Sequence, residues 1–422
     1  MGANENTFIV TDSETNKAIQ EGIEKNRKGN FVVKTNAKKV KVTLKNHKFR
    51  FGCNLFMLDE FPDDPNKNVI YRQKFKEVFN LATLPFYWDA TEPEEGKTRY
   101  EIGSPALYRR PPVDLCIKYC EENNIEPREH ALCYDNFFPD WLVDKTVPEI
   151  KQYIVKRMQQ ISRRYADKIP TIEVTNEMFW DKGKTPIYAD PDFMVFCYEQ
   201  AAKYFPKNEL CINEWSGDIW NKNPLPWNNY YLIIENLLLK GARVDAIGMQ
   251  YHMFYNKDDY FKSTRRVYNL RHLIQVMDNF ARLKKPFQIT EITIPAFTEE
   301  SADEQAQADI IEQLYSTWFS YPNVEQIIYW NLVDGYAAFT EPGNMTAGEN
   351  VYRGGLLRFD LSEKPAFQRI KYLVKDVWTT NEQLETKGGA ASFRGFYGEY
   401  EVEADGKKCI VNFDKDGKEI CL

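Results

Sequence analysis

Pro170-Thr-Ile-Glu-Val-Thr-Asn-Glu177 is a short β-branched run that ends on a carboxylate, and Phe287-Gln-Ile-Thr-Glu291 repeats the device about a hundred residues later. Leaving a carboxylate at the end of an apolar strand is costly unless something uses it. Working outward from these two runs, the same alternation of strand and amphipathic helix extends over most of the chain. Strands are predicted at Phe49–Phe56, Leu81–Tyr87, Glu129–Tyr134, Thr171–Asn176, Glu209–Trp215, Ala246–His252, Phe287–Ile294 and Gln326–Leu332. Between them fall helical patterns such as Pro111–Asn124, Val147–Asp167, Asp192–Tyr204, Arg265–Leu283 and Asp303–Tyr321, with Pro365–Trp378 last. Near-continuous apolar strands fit a parallel sheet covered by helices. Eight strands each followed by a helix is the count for a (β/α)8 TIM barrel, an α/β fold. A doubly wound open sheet ranks below it, because no GxGxxG follows the first strand.

The flanks break the alternation. Residues 1–48 hold a helical stretch near Lys17–Asn26 and two alternating runs, expected as edge strands of an N-terminal extension packed beside the barrel of residues 49–378. Residues 379–422 carry Asp405-Gly406 and Asp416-Gly417, both hairpin signals, and read as a small C-terminal β appendage. About 30 residues of it are too few to fold without support.

Bulk properties narrow the partner. A net charge of −7 without a Lys/Arg run excludes a nucleic-acid partner, whose phosphates want basic patches. No apolar stretch reaches membrane-span length. The polar start, Met-Gly-Ala-Asn-Glu-Asn, has no signal-peptide core, which fits a secreted or cell-envelope protein without its leader, or a cytoplasmic one. The eight cysteines show neither CxxC pairs nor metal-ligand spacing and read as free thiols. Aromatic residues are 14% of the chain, enough to line a cleft that stacks sugar rings as well as a core.

In such a barrel, catalytic groups gather at the C-terminal ends of the strands. Those ends supply His130, Tyr134, Asn176, Glu177, Asn213, Glu214, Gln250, His252, Glu291 and Trp330. Either glutamate alone reads equally well as a salt-bridge residue. Together they suggest a pair facing each other across one cleft, the arrangement that retaining glycoside hydrolysis needs, with carboxyls roughly 5–5.5 Å apart. No HxH or HExxH supports a metal-dependent hydrolase, and no metal or organic cofactor is expected.

These residues resemble glycoside hydrolase family 10, best known for endo-β-1,4-xylanases. Asn176-Glu177 looks like its acid/base motif and Ile289-Thr-Glu291 its nucleophile strand. Gly248-Met-Gln250-Tyr-His252 resembles its Gly-x-Gln-x-His strand, and Tyr329-Trp330-Asn-Leu-Val-Asp334 its strand eight. His130-Ala-Leu-x-Tyr134 follows the strand-three motif, and Trp88-Asp-Ala-Thr-Glu-Pro-Glu-Glu-Gly96 the segment after strand two. The resemblance implies that Glu291 is the nucleophile and Glu177 the acid/base. His252 and Gln250 would then bind the nucleophile, Asn176 the sugar 2-OH, Trp330 the sugar face and His130 its hydroxyls. Tyr134 and Trp88 would line the next subsite. Strand two departs from the family: Thr83-Leu-Pro-Phe-Tyr-Trp88 replaces a Glu-Asn-x-Met-Lys-Trp pattern whose Asn and Lys hold the sugar on the glycone side. The expected substrate is xylan or arabinoxylan, with a different β-linked glycan, or glycan binding without turnover, as alternatives.

Overall fold

The computed structural model of the protein describes residues 8–222 and 224–422. An N-terminal helix, Ser13–Arg27, opens the described fold; Asp12 caps it by accepting the Thr15 N–H at 2.7 Å. Two strands follow, β1 (Lys28–Lys34) and β2 (Lys39–His47). The barrel comes next: β3 (Arg50–Asn54), β4 (Leu81–Pro85), β5 (Glu126–His130), β6 (Thr171–Asn176), β7 (Glu209–Asn213), β8 (Ala246–His252), β9 (Phe287–Thr293) and β10 (Val324–Tyr329). These eight close in chain order, with β10 pairing β3 in parallel. Helices of the predicted alternation surround them, and β4, β6 and β9 are buried along their whole length. Polar residues on β6 and β9, among them Thr171, Glu173, Gln288 and Thr290, are buried along with the apolar ones.

The third barrel strand is misplaced by the sequence reading. It runs over Glu126–His130, not Glu129–Tyr134. Its charged residues hid it: Arg128 and Glu129 are buried inside the barrel, Arg128 paired with Glu173 at 2.6 Å, so the strand carries no apolar signature.

The two flanks also differ from expectation, because they pair with each other. After the barrel come β11 (Asn381–Glu385), β12 (Ala390–Phe396), β13 (Gly398–Ala404), β14 (Lys407–Phe413) and β15 (Lys418–Cys421). One sheet has the order β12-β1-β15 and the other β11-β2-β13-β14. The buried faces of β1 (Phe31, Val33) and β2 (Val40, Val42) meet Phe393, Tyr400, Val402 and Phe413 in a core separate from the barrel's. Neither segment has enough apolar surface to stand alone, and each supplies the other's missing face. Arg27 ties this unit to the barrel, donating to the carbonyls of Phe319, Tyr321 (2.5 Å) and Val324 (2.7 Å). All eight cysteines are unpaired thiols, and among the described residues no helix is long and apolar enough to cross a membrane.

Candidate active site

A cleft of about 850 Å³ opens at the C-terminal ends of the barrel strands, and both Glu177 and Glu291 line it. Each carboxyl has its own set of donors. Glu177 follows β6 with a positive φ of 50°, a left-handed backbone that is strained for a glutamate. Its Oε2 accepts the Tyr134 hydroxyl at 2.5 Å and the Trp180 indole N–H at 3.2 Å, and its Oε1 accepts Gln250 Nε2 at 3.0 Å. Glu291 accepts Asn213 Nδ2 at 2.8 Å and His252 Nε2 at 3.2 Å.

Burial pulls the His252 pKa down to about 4, so the ring is neutral near pH 7. Its Nδ1 faces the Thr293 hydroxyl at 2.9 Å and its Nε2 faces Glu291. Asn213 is the hub. Its amide N–H groups also reach Asn176 Oδ1 (3.0 Å) and Glu173 Oε1 (3.3 Å), while its Oδ1 accepts Thr290 Oγ1 at 2.6 Å. Gly248 exists to let this hub sit there: a Cβ at that position would come within 2.6 Å of Asn213 Oδ1 and 2.7 Å of the Ile212 carbonyl.

Below the pair lies a buried charge network. His130 bonds Glu173 Oε1 through Nδ1 at 2.8 Å, and Arg128 holds the other oxygen. Burial pushes the Glu173 carboxyl up, but His130 and Arg128 outweigh it and the net shift is downward. For His130, burial works against the charged ring, and Glu173 with Glu291 outweighs it in favour of imidazolium. Burial also raises Glu291, to about 8, with His130 opposing and Glu173 and Glu177 adding to the rise. His130, Glu173 and Glu291 each place one potential ligand atom within 4.8 Å of the others, the geometry of a metal cluster among the described residues. Their lone pairs are already engaged by Arg128, Asn213 and His252, so a charge network accounts for the cluster fully.

The structure thus brings His130, Tyr134, Asn176, Glu177, Gln250, His252, Glu291 and Trp330 to one cleft. Two expected roles need correction. Trp88 is 2% exposed and does not line the cleft; its indole N–H bonds Glu92 at 3.0 Å and its ring packs on Phe138 and Trp141. A one-residue step at the start of the short Trp88–Thr91 helix turns it into the core and presents Tyr87 instead, whose hydroxyl lies 3.0 Å from His130 Nε2. Gln250 serves Glu177, not Glu291. It is level with Glu291 across the β8–β9 pair, after a register shift at Met249/Gln250, but its amide turns toward β6. Asn213 takes the place beside Glu291.

Several cleft residues escaped the sequence reading. Tyr87, Arg110, Phe137, Phe254 and Phe339 come from loops whose direction has no periodic signal. Glu214 was visible as a strand end but not its role. It accepts the N–H of Met178 at 2.8 Å and of Trp215 at 2.9 Å, pinning the turn that follows Glu177, and burial raises its carboxyl to about 8. Asp135 is buried and accepts from the backbone and hydroxyl of Thr185, bracing one cleft loop against another.

Fold and site together define a class: a (β/α)8 barrel with a carboxylate pair in an aromatic-walled cleft at the strands' C-terminal mouth. Residues 44–372 match the model of glycosyl hydrolase family 10, and the chain belongs to that family. It is 24% identical over 380 residues to the anti-sigma-I factor RsgI6 of Acetivibrio thermocellus, a match covering 86% of this chain and 42% of that protein. It is 23% identical over 340 residues to endo-1,4-beta-xylanase 2 of Arabidopsis thaliana, covering 79% and 28%. The chain therefore spans less than half the length of these curated relatives. Among solved structures it is similar to xylanase 10B from Thermotoga petrophila RKU-1 in complex with xylobiose, with a TM-score of 0.60, 21% identity, and coverage of 78% of this chain and 95% of that one.

Proposed function

We propose that the protein is a retaining glycoside hydrolase that cleaves xylan or a closely related β-linked polysaccharide. The observation that carries this reading is the pair itself: Glu177 and Glu291 line one cleft, each oriented by separate donors. Pure binding has no need for that arrangement. The family relatives include proteins named endo-1,4-beta-xylanases, which supports xylan as the substrate.

Glu291, ionised, attacks the anomeric carbon as the bond to the leaving oxygen breaks, giving a covalent glycosyl-enzyme. Glu177 delivers its proton to that oxygen, then takes a proton from the water that releases the sugar. Tyr134, Trp180 and Gln250 hold the Glu177 carboxyl for both transfers. Asn176 Oδ1 is occupied by Asn213 and Gln250, so its Nδ2 group is left for a sugar hydroxyl beside the nucleophile. Trp330 stands edge-on to both His130 and His252 and closes the floor of the cleft.

The test is product analysis on linear xylan, glucuronoarabinoxylan, mixed-linkage glucan and short xylo-oligosaccharides, with Glu291→Gln in parallel and the first-formed anomer read by proton NMR. Xylo-oligosaccharides of retained configuration that vanish in the variant support the reading. A folded protein inactive on every xylan, or one giving inverted anomers, sinks it. A relative named as an anti-sigma-I factor favours a second reading, in which the same cleft binds a glycan without cleaving it. Xylan binding by wild type without turnover would identify that case.

A further inference from the structure

We propose that the cleft contains a subsite for a sugar carboxylate, built on Arg110 at the side where β4 ends. The inference rests on reading the cleft as a glycan site and adds the chemical class of one unit of the glycan.

Arg110 is 8% exposed and lines the cleft. Its guanidinium lies 4.1 Å over the Tyr87 ring, with Phe56 at 5.5 Å and Phe137 at 5.7 Å. Its one hydrogen bond among the described residues runs from Nη1 to the Arg109 carbonyl at 3.0 Å. Other buried arginines here are used differently. Arg99 donates to three carbonyls, those of Pro105 (2.5 Å), Ala90 (3.4 Å) and Arg110 (2.6 Å). Arg157 donates to Leu132 O (3.2 Å), Thr91 Oγ1 (2.8 Å) and Phe86 O. Those are structural cross-links whose donors are spent inside the protein. Arg110 is not spent.

A guanidinium carries five N–H donors, and burying it without partners is costly. The aromatic faces offset part of that cost through cation–π attraction. They engage the plane of the group and leave its edge free. That edge is the direction from which a planar carboxylate is bound by two parallel hydrogen bonds. Asp89 and Glu60 feel the Arg110 charge, but no carboxylate among the described residues ion-pairs with it. Arg109 reinforces the positive field; its Nη1 and Nη2 donate to Tyr336 O and Asn331 Oδ1 (3.0 Å), while its buried Nε faces no acceptor.

Position fixes which unit carries the acid. Tyr87 separates Arg110 from His130, and His130 stands beside the carboxylate network of Glu173 and Glu291. A carboxylate on the sugar being attacked would face those like charges. The ligand is therefore a uronic acid unit or branch next to the cleaved sugar.

The experiment compares kcat/KM for a uronic-acid-bearing xylo-oligosaccharide with that for its methyl ester, which has nearly the same shape and no charge. Wild type should prefer the acid by about tenfold or more, the range of a charge-assisted bidentate contact. The acid/ester ratio should fall toward one in Arg110→Met and recover only in part in Arg110→Lys. A wild-type ratio of one overturns the proposal, and this arm needs no variant to fold. Calorimetry of both ligands on Glu291→Gln separates the two readings. Tighter binding of the acid by the variant, beside a wild type that cleaves neither ligand, keeps the anion subsite and removes hydrolysis. Equal binding beside normal wild-type turnover removes the subsite alone.

Discussion

Glu291→Gln should stabilise the protein at neutral pH while removing its activity. The carboxyl is raised by burial from an ordinary 4.5 to about 8. A folded-state pKa above the unfolded one means the folded protein holds that proton more tightly. The stability this contributes is complete below the unfolded value and is lost as pH climbs toward the folded one, the reverse of a salt-bridged carboxylate. Integrating between those two values gives a loss of about 3 kcal/mol from pH 4 to pH 7. Glutamine has no proton to lose, so the variant escapes it. Three kcal/mol is a ceiling, because Asn213, His252 and His130 all lose part of an ionic partner in the variant. Glu214, also raised to about 8, is common to both proteins and cancels in the difference. Thermal melts followed by circular dichroism at pH 4, 5.5, 7 and 8 read the effect directly. The variant should gain on wild type by a few degrees as pH rises, with little gain at pH 4. A difference that stays flat across this window, or turns against the variant, refutes the reasoning.

Other outcomes follow from single contacts. Gly248→Ala drives a methyl into the Asn213 amide and the Ile212 carbonyl and should cost about 1–3 kcal/mol by overpacking, read in urea melts, together with a loss of kcat. Tyr87→Phe removes the hydroxyl from His130 and should lower kcat/KM, whereas Trp88→Phe should cost about 1–3 kcal/mol in urea melts and leave the kinetics intact. Lys364 and Asp334 form a buried pair at 3.1 Å beneath the loop after β10; Lys364→Met should cost about 3–5 kcal/mol, with Lys364→Met/Asp334→Asn recovering part of it.

Much of the barrel was legible because its signals are local. A short β-branched and aromatic run stands out wherever it sits, and β6, β8 and β9 were read to within a residue of their ends. The carboxylate pair was legible for the same reason, since a charge closing such a run is conspicuous. The reading failed where tertiary pairing replaced hydrophobicity. Arg128 and Glu129 look like surface residues until Glu173 is placed across from Arg128. The terminal strands looked like separate appendages because β1 meets β12 across more than three hundred residues, and no local pattern encodes that partner.

The amino-acid sequence by itself determined the alternating architecture, the family, and the two glutamates at the strand ends, all consequences of short-range periodicity and residue chemistry. Tertiary structure alone decided that Tyr87 and not Trp88 faces the cleft, that Asn213 holds Glu291 while Gln250 holds Glu177, and that Arg110 stands there with donors to spare. The physical reason is directional. At a strand end one residue of turn or register redirects a side chain from the core to the cleft, and that rotation is set by neighbours far away in the chain.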